Sequence, residues 1–204
     1  MSDTGNKLVK HTSIYMLGDV LRYSISLVML PIYTRFLTPQ DYGTVELLSM
    51  LIDFAAIVFG ARAGQSVFRF YCTAPSEEHK KTIVSSALFL GLLFNGIGAA
   101  VVAALSDPLS AAVFQSHEYG RYILLFSITL ILLPLIEIPL VFIRAQQKPW
   151  LFFNFSLFSL CIQVGLNIYF FFIQEMHVIV VIYSAIISSI LLALALAGYT
   201  ISAT

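Results

Sequence analysis

The chain is 204 residues long, 59% hydrophobic and only 11% charged, with eleven basic residues balanced by eleven acidic ones. Soluble domains carry roughly a quarter charged residues, so a chain with a mean hydropathy of +0.89 would expose aggregating patches in water and reads as a membrane protein. Zero net charge leaves no electrostatic footprint for nucleic acid; Cys72 and Cys161 lie too far apart in sequence for a disulfide framework or a metal motif, and both are expected as buried thiols.

Six apolar stretches follow one another, at residues 12–36, 42–71, 83–105, 119–144, 152–173 and 178–200. Each has the roughly 20 apolar residues that a helix needs to cross a bilayer. None has the short alternating pattern of a membrane barrel. The expected fold is therefore all-α: one transmembrane domain over residues 1–204, a polytopic bundle of about six helices. Met1 to His11 is polar, and the apolar run after it is too long for a cleavable signal.

The first helix carries Tyr15, Asp19, Arg22, Ser26 and Tyr33, at offsets of 4, 7, 11 and 18 from Tyr15. At 3.6 residues per turn these fall within roughly 60° of one another. Charge inside a membrane costs at least ~2.5–3.5 kcal/mol on insertion scales, so this face needs a partner helix or water. Asp19 and Arg22 are spaced i,i+3 and can pair, as a self-neutral structural pair or with Arg22 serving as a cation in a wet cavity. Thr38-Pro39-Gln40-Asp41 reads as an N-cap, a first-turn proline and an acid at the third helical position.

The second helix has Glu46 and Asp53 on one face, continued by Gly60 and Gly64, with Arg62 and Arg69 roughly opposite. Gly60 to Gly64 matches the small-xxx-small spacing of close helix contacts. Ser76-Glu77-Glu78 and Ser106-Asp107-Pro108 read as turns. The third helix presents Gly91, Asn95, Gly98 and Ala99 as a packing stripe. In the fourth, Pro134 and Pro139 flank Glu137; two missing amide donors predict kinks, and an acid between breaks suits a transport site as well as a Glu bonded to freed amides. The fifth has a polar stripe of Ser156, Ser159, Gln163, Asn167 and Gln174, and the sixth a shorter one of Ser184 and Ser188.

Lys and Arg collect on cytoplasmic loops. Lys7 and Lys10 precede the first helix; Arg69, Lys80 and Lys81 lie at the second connection between helices, and Arg144 and Lys148 at the fourth. The other side has Arg35 and Arg121 among Asp41, Asp107, Glu118 and Glu175. Both termini are therefore expected in the cytoplasm. No catalytic constellation appears, and His11, His79, His117 and His177 have no metal spacing. No metal and no cofactor are expected, and the chain reads as a non-enzyme.

Leu30-Pro31-Ile32-Tyr33-Thr34-Arg35-Phe36-Leu37-Thr38-Pro39-Gln40-Asp41-Tyr42-Gly43 resembles the first helix end and first loop of O-antigen-type polysaccharide flippases, in the multidrug/oligosaccharidyl-lipid/polysaccharide exporter superfamily. Val67-Phe68-Arg69-Phe70-Tyr71 and Ile143-Arg144-Ala145-Gln146-Gln147-Lys148-Pro149 resemble two later segments of that family, in the same order. The resemblance implies flipping of a polyprenyl-diphosphate-linked glycan across a bacterial inner membrane, by two lobes around a central cavity. It implies a lipid-linked glycan and membrane lipid as partners, with no nucleic acid. Because such proteins have twelve or more helices, this chain is expected as the N-terminal lobe, facing a second lobe or a dimer partner. Arg22 and Arg62 would meet the diphosphate; Tyr33, Ser159, Gln163 and Asn167 would line the cavity, the last three bonding sugars; Asp19, Asp53 and Glu137 are the ion-coupling candidates. The alternatives are a lobe of a cation-coupled small-molecule antiporter and a membrane assembly subunit that transports nothing.

Overall fold

The computed structural model describes residues 2–60, 64–174 and 178–203. Among the described residues the chain forms eight helices and no strand. They are α1 (Ser2–Phe36), α2 (Pro39–Val58), α3 (Gly64–Thr73), α4 (Glu77–Ala104), α5 (Ser106–Phe114), α6 (Gly120–Ala145), α7 (Pro149–Gln174) and α8 (Val178–Ala203).

Four helices are long and apolar enough to cross a membrane: Glu78–Ala104, Gly120–Ala145, Pro149–Phe172 and Val178–Thr200. The expected six spans are thus met by four on length and composition. α2 has 20 residues but carries Asp41, Glu46 and Asp53, and three acids in so short a helix lower its apolarity. In α1 the described apolar run is Leu27–Phe36.

The expected single helix over residues 42–71 is two helices. Gly60 takes φ +76°, a left-handed conformation that only glycine adopts without cost, and Phe59 caps the end of α2. Gly60 therefore ends a helix and is not part of a packing stripe. The N-terminal signal of α2 is realised in full. The Thr38 hydroxyl accepts from the Asp41 amide at 3.1 Å, the Asp41 carboxylate accepts from the Thr38 amide at 3.3 Å, and Pro39 opens the helix. Ser76 likewise caps α4 by accepting from the His79 amide. Ser106 to Pro108, expected as a turn, is the first turn of α5. The predicted kinked fourth helix runs unbroken through Pro134 and Pro139 as α6; the two carbonyls that lose a donor, those of Leu130 and Leu135, lie in a helix packed on several sides.

α6 and α8 form the centre, and α4 and α7 lie outside them: 39% and 44% of the α6 and α8 spans are buried, against 22% and 17% for α4 and α7. Lipid is as apolar as leucine, so these contacts rest on close packing more than on the hydrophobic effect. Small residues supply that packing. A Cβ on Gly91 would lie 2.8 Å from the Pro134 side chain, one on Gly98 2.6 Å from the Phe59 ring, and one on Gly18 2.6 Å from the Phe152 ring. These set the spacing of α4 on α6, of α4 on the end of α2, and of α1 on α7. The stripe expected on the third helix is this contact: Asn95 is fully buried, Ala99 nearly so, and the Asn95 amide donates to the Gly91 carbonyl at 2.8 Å.

The cysteines differ from expectation. Cys72 and Cys161 are both exposed, since in a membrane bundle an apolar thiol is at home on an outward face.

Candidate functional site: the polar contacts of the first, sixth, seventh and eighth helices

The chain's polar candidates divide between the two ends of the bundle. Near the turn from α6 to α7, the Arg144 guanidinium makes an ion pair and hydrogen bond with Asp19 of α1. Arg144 sits in the last turn of α6, where a cation is favoured by the helix dipole. Its guanidinium carbon also lies 4.3 Å from the centre of the Phe152 ring on α7, a cation–π distance. The Tyr15 hydroxyl donates to the Arg144 carbonyl at 3.5 Å. The Arg144 Nε is buried and has no hydrogen-bond acceptor among the described residues. One arginine thereby joins α1, α6 and α7. The side chains of Arg144 and Asp19 are 34% and 38% exposed, so the pair is partly solvated and is worth less than a buried one.

This is not the pairing that the i,i+3 spacing suggested. Asp19 pairs with Arg144, a residue expected as a loop cation. Arg22 lies on α1, but its side chain is outside the described residues. Arg62 is outside them altogether, as are Glu175 and His177. Sequence spacing could not single out Arg144 as this partner, since it lies 125 residues from Asp19.

A second group extends this end. Lys148 donates from Nζ to the Tyr199 hydroxyl at 3.0 Å and lies 5.6 Å from that ring's centre. Tyr199 donates to Gln146 Oε1 at 3.1 Å, which ties the turn to α8. Gln147 in the same turn takes φ +56°.

Tyr33 belongs to the opposite end. It is half-buried, 6.2 Å between ring centres from Tyr42 and 6.1 Å from Phe171. Fourteen residues separate it from Asp19, about 21 Å along a helix. The two share the α1 surface but not a pocket.

On α7, Ser159 and Gln163 are half-buried while Ser156 and Asn167 are fully enclosed. Asn167 donates to the Gln163 carbonyl at 2.8 Å and accepts from the Ser184 hydroxyl of α8 at 2.9 Å. Ser156 donates to the Phe152 carbonyl. One member of the expected polar stripe, Asn167, thus makes an interhelical contact, and Ser184 and Ser188 of α8 are both buried. Asp53 is exposed on α2, and Glu137 is half-buried between the buried Pro134 and Pro139. Among the described residues no group of three His, Cys, Asp or Glu side chains could hold a metal ion.

A cavity of about 540 Å³ opens elsewhere, between α3, α4 and α6. Among the described residues none of the polar candidates lines it.

The family described as polysaccharide biosynthesis protein matches the chain over residues 8–202. No curated protein and no solved structure matches it.

Proposed function

The chain belongs to the polysaccharide biosynthesis protein family, the family of the O-antigen-type flippases, and from that membership we propose that it moves a polyprenyl-diphosphate-linked oligosaccharide across the bacterial inner membrane. The observation that carries this reading is the family match over nearly the whole chain, on a membrane bundle in which α1 pairs with α6 through Asp19 and Arg144 and α7 with α8 through Asn167 and Ser184. The chain acts as one lobe, opposed by a second lobe or a second copy.

In this reading the polar face of α1 and the half-buried part of α7 border the substrate path. Ser159 and Gln163 are the sugar-bonding groups, and Asn167 supports them from behind through Ser184. A diphosphate needs forked cationic donors. Arg22 and Arg62 are two, and Arg144 is a third: one terminal nitrogen is held by Asp19 while Nε has no acceptor among the described residues. Asp19 then acts as a positioning residue for Arg144, leaving Asp53 and Glu137 for coupling to a cation gradient. Arg69, Lys80, Lys81, Arg144 and Lys148 mark the cytoplasmic end by the positive-inside rule, and both ends of the chain lie on that side.

The test is genetic. Deleting the gene in its own cell should abolish surface polysaccharide, and the full-length protein should restore it. The Arg22→Ala form should reach the membrane in normal amount and fail to restore it. Full restoration by Arg22→Ala would make Arg22 structural, and unchanged surface polysaccharide in the deletion strain would remove the reading itself.

A further inference from the structure

The cavity between α3, α4 and α6 has the shape and polarity of a site for one lipid chain. Its lining on α4 includes His79, Thr82, Ser86, Leu90, Gly91 and Phe94, one stripe at three- and four-residue steps. Fifteen residues of helix separate the first from the last, about 22 Å. That is a furrow along the helix and not a rounded pocket. Phe70 of α3 walls one side, and Pro134 and Ile138 of α6 the other. Pro134 and Ile138 pack directly against Gly91, which has no side chain, and this close contact of α4 with α6 forms the floor.

Polarity changes along the furrow in one direction. His79, Thr82 and Ser86 lie toward the start of α4, where the apolar span begins at Glu78. Deeper in, Leu90, Gly91 and Phe94 are apolar. A polar mouth at the membrane surface and an apolar floor toward the middle fit an amphiphile. Lys80 and Lys81 share the mouth's helical turn, and Lys80 lies 5.4 Å from the ring centre of Tyr71 on α3. With Arg69 they outnumber Glu77 and Glu78 by one charge, which favours an anionic head group.

We propose that this furrow holds one acyl chain of an anionic phospholipid, with its phosphate at His79. The occupant is a resident lipid and not the transported one, because the sugar-bonding candidates Ser159 and Gln163 lie on α7, which does not line the furrow. The site therefore stands apart from the flippase reading.

The test is native mass spectrometry of the full-length protein purified in mild detergent, with the retained lipids identified. Wild type should keep one anionic phospholipid per chain. Ala87→Phe, which fills the furrow at a lining position, should lower occupancy by about tenfold, a change of about 1.4 kcal/mol. Leu194→Phe, on an exposed position of α8, should retain it. Lys80→Glu with Lys81→Glu should shift the retained lipid toward zwitterionic species. A wild-type protein that retains no phospholipid, or retains a polyprenyl carrier in its place, overturns the proposal whether or not the variants fold. Equal retention by Ala87→Phe and wild type overturns it as well.

Discussion

Among single residues, Arg144 links three helices. It ends α6, pairs with Asp19 and lies over Phe152, so three helices depend on one side chain. Because the pair is about a third exposed, its coupling energy is expected near 1 kcal/mol. A double-mutant cycle of Asp19→Asn and Arg144→Gln, followed by thermal unfolding in detergent, measures it; additivity within about 0.3 kcal/mol would show that the contact contributes nothing. Asn167 and Ser184 form a drier contact. Interhelical hydrogen bonds in membranes average about 0.6 kcal/mol and reach about 1.7, so Ser184→Ala should lower stability by that order, read by the same unfolding experiment. Gln147 holds φ +56° without being glycine. Gln147→Gly should be tolerated, while Gln147→Val should cost about 1–2 kcal/mol, because a β-branched residue is strained in that conformation.

Helix packing at the scale of elements rests on three small residues. Gly98 meets the Phe59 ring at its Cβ position, and Phe59 is also the cap of α2. Gly98→Val should push α4 from the end of α2 and cost about 1–3 kcal/mol, as overpacked sites do. Gly43, which has open space at its Cβ position, should accept Ala with no comparable loss. Measured melting temperatures of the two variants in the same detergent decide this; equal losses would mean that the α2–α4 contact is not close.

Much of this scale was legible beforehand. The cap at Thr38 was, because its chemistry is local: a hydroxyl, a proline and an acid within four residues. The packing stripe on α4 was also legible, since glycine spacing reports helix proximity directly. The break at Gly60 was not, because one glycine in an apolar run serves equally as a contact or as a helix end, and its φ decides. The pairing of Asp19 was not, because local spacing offers Arg22, while Arg144 lies 125 residues away and competes only after folding. The polar stripe on α7 was visible as a stripe; that Ser156 and Asn167 are enclosed while Ser159 and Gln163 are half-buried depends on where α8 lies. The lipid furrow left only a weak trace, since residues 60, 67, 70, 134 and 138 meet α4 solely through tertiary packing.

At the scale of the molecule, the bundle has a centre of α6 and α8 and two outer helices, α4 and α7, with large exposed faces. Asp19, Arg144 and Lys148 meet near the turn from α6 to α7, and the furrow opens between α3, α4 and α6. This division suits a lobe with one face on a substrate path and another on the bilayer. Arg144 and Lys148 lie at the end that holds Tyr199, and Tyr33 packs with Tyr42 and Phe171 at the other.

We propose that this family member carries a lipid-linked glycan from one leaflet to the other. The most direct test is to follow that lipid in inner-membrane vesicles of known orientation, using a lectin or glycosidase that reaches only the periplasmic leaflet. With the full-length protein present, the glycan should become accessible there, and Arg22→Ala should prevent it. Accumulation of the glycan on the cytoplasmic leaflet, with the wild-type protein correctly inserted, would contradict the account.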